Sequence, residues 1–383
     1  MIRARTANGR KSRSAELMHR VAQIGCGQKG TSHARSHVLV GRSQIVAAAD
    51  PDEENLALFC ERFDVPGYTD HRELLAKEEF DMASAILNPR NNPGIVIDCA
   101  QAGGVKAIQS EKPIAERLSD ADAMVAACKS NGVWYACGDV ERNWSYYWKA
   151  REILESGELG EVLSVTCFSV SARRWDVQGL SLMRMFAFDA DVAWLTGWVH
   201  EEAVSDYDTG GYSGHLRFTN GIDGYLHRRP GARNGIEVVC TKGVFECDHR
   251  YMRMRKADDS QPYWSKLAEV EDLFPEESFQ GITVGEYDDE GWRHPGTRCL
   301  HTVESLIEAV EKDIEPRGNG DNGRKTLEMT IALRESHRRG HVPVRLPLED
   351  RDQIIILGRG APLDKKESEG RVSYMEKLRN YTR

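Results

Sequence analysis

The stretch Val21-Ala22-Gln23-Ile24-Gly25-Cys26-Gly27-Gln28-Lys29-Gly30 constrains this chain more than any other. A short apolar run closes on G-x-G-x-x-G, and a helical stretch follows. Each glycine has its own job: a tight turn, room for a pyrophosphate to approach the backbone, and close packing of helix on strand. The following helix would aim unpaired N–H groups and the positive end of its dipole at phosphate. Glycine pairs arise by chance in a chain with 34 glycines, so context decides. Asp50 supplies that context by closing the second apolar run, Ile45 to Ala49. A carboxylate there accepts hydrogen bonds from the adenosine ribose hydroxyls and repels a 2′-phosphate. Gly25, Cys26, Gly27, Gln28, Lys29, Gly30 and Asp50 are therefore expected to bind NAD in preference to NADP. The plainer alternative is a glycine-rich turn beside a helix-capping aspartate.

From Arg20 to about Val140, strand and helix alternate. Ala83 to Leu87, Val105 to Ile108 and Val133 to Cys137 are further apolar runs suited to strands covered on both faces. Asn55 to Phe63 carries an apolar face at helical period. Ser119 with Asp122 reads as a capping box for a helix that Gly132 stops. This alternation predicts a doubly wound α/β domain, a Rossmann-type parallel sheet with right-handed crossovers. After Glu141 the rhythm changes. Tyr146 to Leu154 reads as helix and Glu161 to Val170 as one long strand. Thr219-Asn220-Gly221 and Thr241-Lys242-Gly243 sit between strand pairs as hairpin turns. The expectation is a second α/β domain with a large, mainly antiparallel, open sheet. Two late helices, Cys299–Ile314 and Lys325–Arg339, flank the turn-rich Pro316 to Gly323. The expected division is a basic arm at 1–19, a nucleotide domain at 20–140, a substrate and oligomerisation domain at 141–350, and a polar extension at 351–383.

A chain of 383 residues is long for a single core, in keeping with two domains. A net charge of −9 argues against nucleic-acid binding. No apolar run is long enough to span a bilayer. The basic first residues, with Arg3, Arg5, Arg10, Lys11 and Arg13, lack the apolar segment of a secretory signal and read as a flexible arm or oligomer contact. Nine cysteines without a C-x-x-C pair, and twelve histidines without metal-ligand spacing, predict reduced thiols, a cytoplasmic location and no metal.

Glu111-Lys112-Pro113 follows the run containing Val105 and Ile108. Strand carboxyl ends face the ligand crevice in an open parallel sheet. Lys112 is thus expected to point toward the nicotinamide, where an ammonium could orient a substrate hydroxyl, lower its pKa or relay its proton. The alternative is a loop lysine held by a neighbouring acid.

The sequence resembles the Gfo/Idh/MocA oxidoreductase family. The likeness runs from Gly25-Cys26-Gly27-Gln28-Lys29-Gly30-Thr31-Ser32-His33 through Ala48-Ala49-Asp50-Pro51, Asn88-Pro89 and Glu111-Lys112-Pro113-Ile114-Ala115. It continues through Gly157-Glu158-Leu159-Gly160-Glu161-Val162, Gly323-Arg324-Lys325-Thr326-Leu327-Glu328 and Val342-Pro343-Val344-Arg345-Leu346-Pro347, covering roughly residues 20 to 348. The resemblance implies sugar-like or polyol substrates, hydride transfer to C4 of nicotinamide, and homodimers or homotetramers built through the open sheet. It places Asn88 and Pro89 near the cofactor and Glu111 near the nicotinamide ribose, makes Lys112 the catalytic lysine, and implies a cis bond before Pro113.

The resemblance also implies an Asp and a His four residues apart on a helix ending in Trp-Leu-x-Gly. Here that ending is Trp194-Leu195-Thr196-Gly197, which places Met183 at the Asp position and Ala187 at the His position. The usual acid–base histidine is missing. Asp189 and Asp191 could replace it, or could cap and salt the helix. His227 is a further candidate, either acid–base or structural. Tyr146, Tyr147 and Trp148 either stack on a sugar or pack the core. Three functions stay open: an NAD-dependent dehydrogenase of a ring hydroxyl, a redox-neutral enzyme that retains NAD, and a non-catalytic NAD- or sugar-binding regulator.

Overall fold

The computed structural model describes residues 18–168, 177–199, 212–227, 235–247, 252–257, 271–272 and 297–355. The side chains of Ser145, Tyr146, Glu271, Asp272, Thr297 and Arg298 lie outside that description, as do the basic arm to residue 17 and the extension beyond 355. The chain runs β1 (His19–Ile24), α1 (Gln28–Val40), β2 (Ser43–Ala49), α2 (Glu53–Phe63), β3 (Gly67–Tyr68), α3 (His71–Lys77), β4 (Met82–Ala85), α4 (Asn92–Gln101), β5 (Ala107–Ser110), α5 (Leu118–Ser130) and β6 (Trp134–Cys137). These strands form one sheet in the order β3-β2-β1-β4-β5-β6, every pair parallel. The order reverses between β1 and β4, which opens a crevice at their carboxyl ends.

The remainder comprises α6 (Val140–Asn143), α7 (Ser145–Glu155), β7 (Val162–Phe168), α8 (Val177–Phe186), β8 (Val192–Val199), β9 (Tyr212–Phe218), β10 (Asp223–His227), β11 (Gly235–Cys240), β12 (Gly243–Cys247), β13 (Met252–Lys256), β14 (Glu271–Asp272), α9 (Thr297–Lys312), α10 (Gly320–Arg338) and β15 (Val344–Arg345). The second sheet runs β14-β13-β12-β11-β7-β10-β9-β8-β15. It is antiparallel except where β7 meets β10. Both expected hairpins form, β9–β10 and β11–β12. The protein is thus of the α/β class, with a Rossmann-type sheet and a large mixed sheet, as the patterning predicts.

Both faces of the first sheet are covered. On one, Val21, Ala48, Met82, Ala107 and Ala136 pack against Phe59 of α2 and against Val303, Leu306 and Ile307 of the distant α9. On the other, Ala22, Ile24, Ala83 and Ile108 join a core that continues under the second sheet through Phe186, Phe245 and Leu333. Helix α10 lies flush on β6 because Gly320 and Gly323 leave it room. An added Cβ would stand 2.2 Å from the Tyr135 ring at the first and 2.8 Å from Cys137 Cβ at the second.

Three local expectations are corrected. Trp194-Leu195-Thr196-Gly197 ends no helix but lies inside β8. Helix α8 stops at Phe186, Phe188 and Asp189 take left-handed φ angles of 57° and 61°, and strand pairing then takes over. Leu195 and Gly197 are buried while Trp194, Thr196 and Trp198 face out, an alternation of period two. Ser119 is not a cap but lies within α5, its hydroxyl donating to Asp352 at 3.0 Å. The first N–H groups of α5 are met instead by the carbonyls of Gln353 and Arg351 as the chain returns. Finally, α10 begins at Gly320 rather than near Lys325, because the Asn319 side chain caps it by accepting from the Asn322 N–H at 2.8 Å.

Candidate functional site

The turn from β1 to α1 shows why its glycines differ. Gly25 has φ of +90°, and a Cβ there would meet the Ile86 carbonyl oxygen at 2.4 Å. A Cβ on Gly30 would stand 1.8 Å from the Gly25 carbonyl oxygen, so α1 can sit on the turn only without one. Gly27 is the N-cap of α1 and offers no side-chain cap; a Cβ there would meet nothing within 4 Å. Its φ of −67° suits any residue. The protein therefore does not need glycine at 27. A phosphate approaching the open N–H groups of this helix would. Gln28 and Lys29 are exposed, and Cys26 is buried, its thiol held protonated by burial and by the Asp50 carboxylate.

Asp50 lies across this turn at the end of β2. One carboxylate oxygen accepts from the Cys26 N–H at 2.6 Å and the other from the Asp52 N–H at 2.8 Å. The half-buried carboxylate is fixed at the crevice with lone pairs left over for hydroxyls. At the end of β4, Asn88 is exposed and turns the chain into α4 through its carbonyl, which accepts from Asn91 and Asn92, while Pro89 is buried. Both lie at the reversal of strand order.

The Glu111–Pro113 segment is clamped from several sides. The Asn92 side chain donates to the carbonyls of Glu111 and Ile114, at 3.2 and 3.1 Å. The peptide bond between Lys112 and Pro113 is cis. Glu111 accepts from the Lys112 N–H at 2.9 Å and from buried His33 at 3.3 Å. The Gln109 amide donates to Nδ1 of His33 at 2.7 Å, which leaves the His33 proton on Nε2, facing Glu111. Burial pushes the Glu111 carboxyl up, but His33 and the charges of Lys112 and Lys29 outweigh it and hold it below its usual range. Among the described residues no ion pair occupies the half-buried Lys112 ammonium.

Lys112 lines a narrow cleft together with Pro113, Ile114, Cys137, Asp139, Val177, Gln178, Gly323 and Thr326. Its members come from the carboxyl ends of β5 and β6 and from the starts of α8 and α10. Asp189, Asp191 and His227 are not among them. Asp189 accepts from Arg142 at 2.5 Å and from Arg151, and although burial raises its carboxyl, those guanidinium groups hold it below its usual range. Asp191 is exposed and paired with Lys325 at 2.8 Å. His227 is exposed on the sheet and stacks on Phe168, ring centroids 5.4 Å apart. Met183 and Ala187 are fully buried, Met183 against Gly224 of β10. Tyr147 is buried between Trp144 and Phe186, and Trp148 donates to the Arg142 carbonyl, so both pack. Among the described residues, no group of three or more His, Cys, Asp or Glu is placed to hold a metal.

One residue of the cleft escaped the sequence reading. Asp139 is 6% exposed, and burial pushes its carboxyl up to about 6 against the opposing bonds from Ser181 and the Arg142 N–H and the charges of Arg142 and Lys112. Its signal was its place just past the apolar run Val133 to Cys137, at a strand carboxyl end.

Known proteins match this architecture. The Gfo/Idh/MocA model, described as an oxidoreductase family with an NAD-binding Rossmann fold, matches residues 19–138. The chain is similar to the myo-inositol 2-dehydrogenase of Thermotoga maritima, 28% identical over 341 residues that cover 83% of this chain and 96% of the relative. In fold it is similar to a levoglucosan dehydrogenase solved with NADH and levoglucosan, at TM-score 0.70, 16% identity and coverage of 86% of this chain and 100% of the other. It is also similar to an oxidoreductase from Agrobacterium radiobacter solved with NAD+, L-tartaric acid and magnesium, at TM-score 0.68, 20% identity and coverage of 85% and 98%. Residues 19–138 thus match the NAD-binding Rossmann domain of the Gfo/Idh/MocA oxidoreductase family.

Proposed function

We propose that this protein is an NAD-dependent dehydrogenase of a ring hydroxyl on a sugar, cyclitol or glycoside, with Lys112 at the reacting centre. The observation that carries the reading is the convergence at one edge of the parallel sheet. An open phosphate-binding turn, a fixed Asp50 carboxylate and a Lys112 ammonium without an ion pair among the described residues all come off strand carboxyl ends. Bound NAD would supply a hydride acceptor. Gly25 to Gly30 and the α1 N-terminus would hold its pyrophosphate, Asp50 its adenosine ribose, and Asn88, Pro89 and Glu111 its nicotinamide half. Lys112 would donate to the substrate hydroxyl oxygen, favouring loss of its proton. Myo-inositol and levoglucosan, on which relatives and fold neighbours are named, support the substrate class.

We further propose assembly as a homodimer or homotetramer through the open face of the second sheet. Trp198 and Tyr225 lie on it, 41% and 37% exposed, and His215 stacks on Tyr225. Among the described residues no helix is long and apolar enough to cross a membrane. The test is NADH formation over a panel of polyols, cyclitols and sugars. Turnover that Lys112→Ala leaves unchanged would overturn the assignment.

A further inference from the structure

The dehydrogenase reading needs somewhere to put a proton, and the positions that the resemblance assigns to that task are Met183 and Ala187. Neither side chain titrates, and both are fully buried. Asp139, by contrast, shares the cleft with Lys112. Ser110 of β5 pairs with Cys137 of β6. Lys112 and Asp139, each two residues further on, therefore leave adjacent strand ends in step. Gly138 makes the approach possible: its N–H donates to the Ser110 carbonyl at 2.6 Å, and a Cβ on it would press on Glu111 Cα at 3.0 Å and the Lys112 backbone nitrogen at 3.1 Å.

We propose that Asp139 is the acid–base carboxylate of this cleft, exchanging the substrate hydroxyl proton alongside Lys112 in place of the missing histidine. The proposal rests on the dehydrogenase reading above. In oxidation the substrate O–H bond breaks and its proton forms an O–H bond on the Asp139 carboxylate. The released electron pair becomes the second carbon–oxygen bond. The carbinol hydrogen leaves with its own electron pair, and NAD is the oxidant that accepts it. In reduction the proton returns from Asp139 to the forming alcohol.

The surroundings suit a carboxyl that must be met in both states. One oxygen accepts from the Arg142 N–H at 3.1 Å as the N-cap of α6. The other lies 3.5 Å from the Asn322 amide, and the Ser181 hydroxyl, which accepts from Asn322 at 2.7 Å, also bonds Asp139. The titratable and charged groups around it are Lys112 from the β5 end, Cys137 of β6 with Glu111 beyond it, Arg142 of α6, and Arg184 of α8 acting through Asn322. Burial outweighs the two nearest cations and brings the carboxyl to about 6, near the working range of a base.

Asparagine caps a helix as well as aspartate, so Asp139→Asn keeps the fold while removing the titrating group. The full chain loaded with NADH would be titrated by infrared difference spectroscopy, wild type against Asp139→Asn. A protonated-carboxyl band missing from the variant, with a midpoint near 6 that rises in Lys112→Met, is the expected result. With myo-inositol or levoglucosan as hydroxyl donor, kcat/KM should rise with pH through the same midpoint. Asp139→Asn should flatten that limb and lower kcat about a hundredfold or more, with KM for NAD unchanged. A band indifferent to Lys112→Met, or an unchanged pH profile in Asp139→Asn, would overturn the proposal. Failure of the wild type to bind NADH would overturn the dehydrogenase reading itself, and the two failures are read from separate signals.

Discussion

In the proposed function Lys112 and Asp50 divide the work at the residue scale, and removing each should leave a different signature. Lys112→Ala should lower kcat about 10²- to 10⁴-fold, the usual loss of an acid–base group, while NADH titration stays near wild type. Asp50→Ala removes a carboxylate proposed to accept hydrogen bonds from ribose, each worth roughly 1.5–3 kcal/mol. NAD affinity should fall about tenfold or more in that variant, and the preference over NADP should shrink. Asp139 makes a prediction about stability. Its folded pKa is raised from 3.8 to about 6, so its contribution is fully present below about pH 4 and lost as pH rises through about 6. Denaturant melts of wild type and Asp139→Asn should therefore converge in acid and separate toward neutrality, by about 3 kcal/mol at most, with the variant gaining.

Single elements explain what the sequence could show. The β1–α1 turn was legible because its glycines answer to local geometry, and the two hairpins because Asn-Gly and Lys-Gly turns fix register between alternating strands. Asp139 was not, since nothing in the identity of one polar residue after a strand reports that α8 and α10 will close over it. Strand β8 was misread because Trp194 to Gly197 fits both a helix end and a strand, and only pairing with β9 decides. The cap of α5 lay out of reach because its acceptors come from residues more than 200 positions away. The turn also offers a clean test. Gly27→Ala should keep the melting temperature and weaken NAD binding, since a Cβ there meets no protein atom. Gly30→Ala should do both kinds of damage, costing roughly 1–3 kcal/mol of stability through overpacking against Gly25.

At the scale of the whole molecule, the two sheets share one core. Helices α9 and α10 return from late in the chain to cover and flank the first sheet, and residues 351–355 lie against the start of α5. The cleft exists only where these layers meet, so the glycine turn and Glu111-Lys112-Pro113 could be read from short motifs, while the place of Asp139 under α8 and α10 could not. The outward aromatic face of the second sheet should carry assembly. Light scattering of the double variant Trp198→Glu, Tyr225→Glu should show monomer where the wild type is a dimer or tetramer. The central claim, hydride transfer from a ring carbon to NAD under the control of Lys112, is tested most directly with carbon-deuterated cyclitols and sugars. Mass spectrometry should find deuterium on the nicotinamide with the wild type and almost none with Lys112→Ala at equal NAD occupancy. Nicotinamide that stays unlabelled across the panel, or labels equally fast without Lys112, would contradict the account.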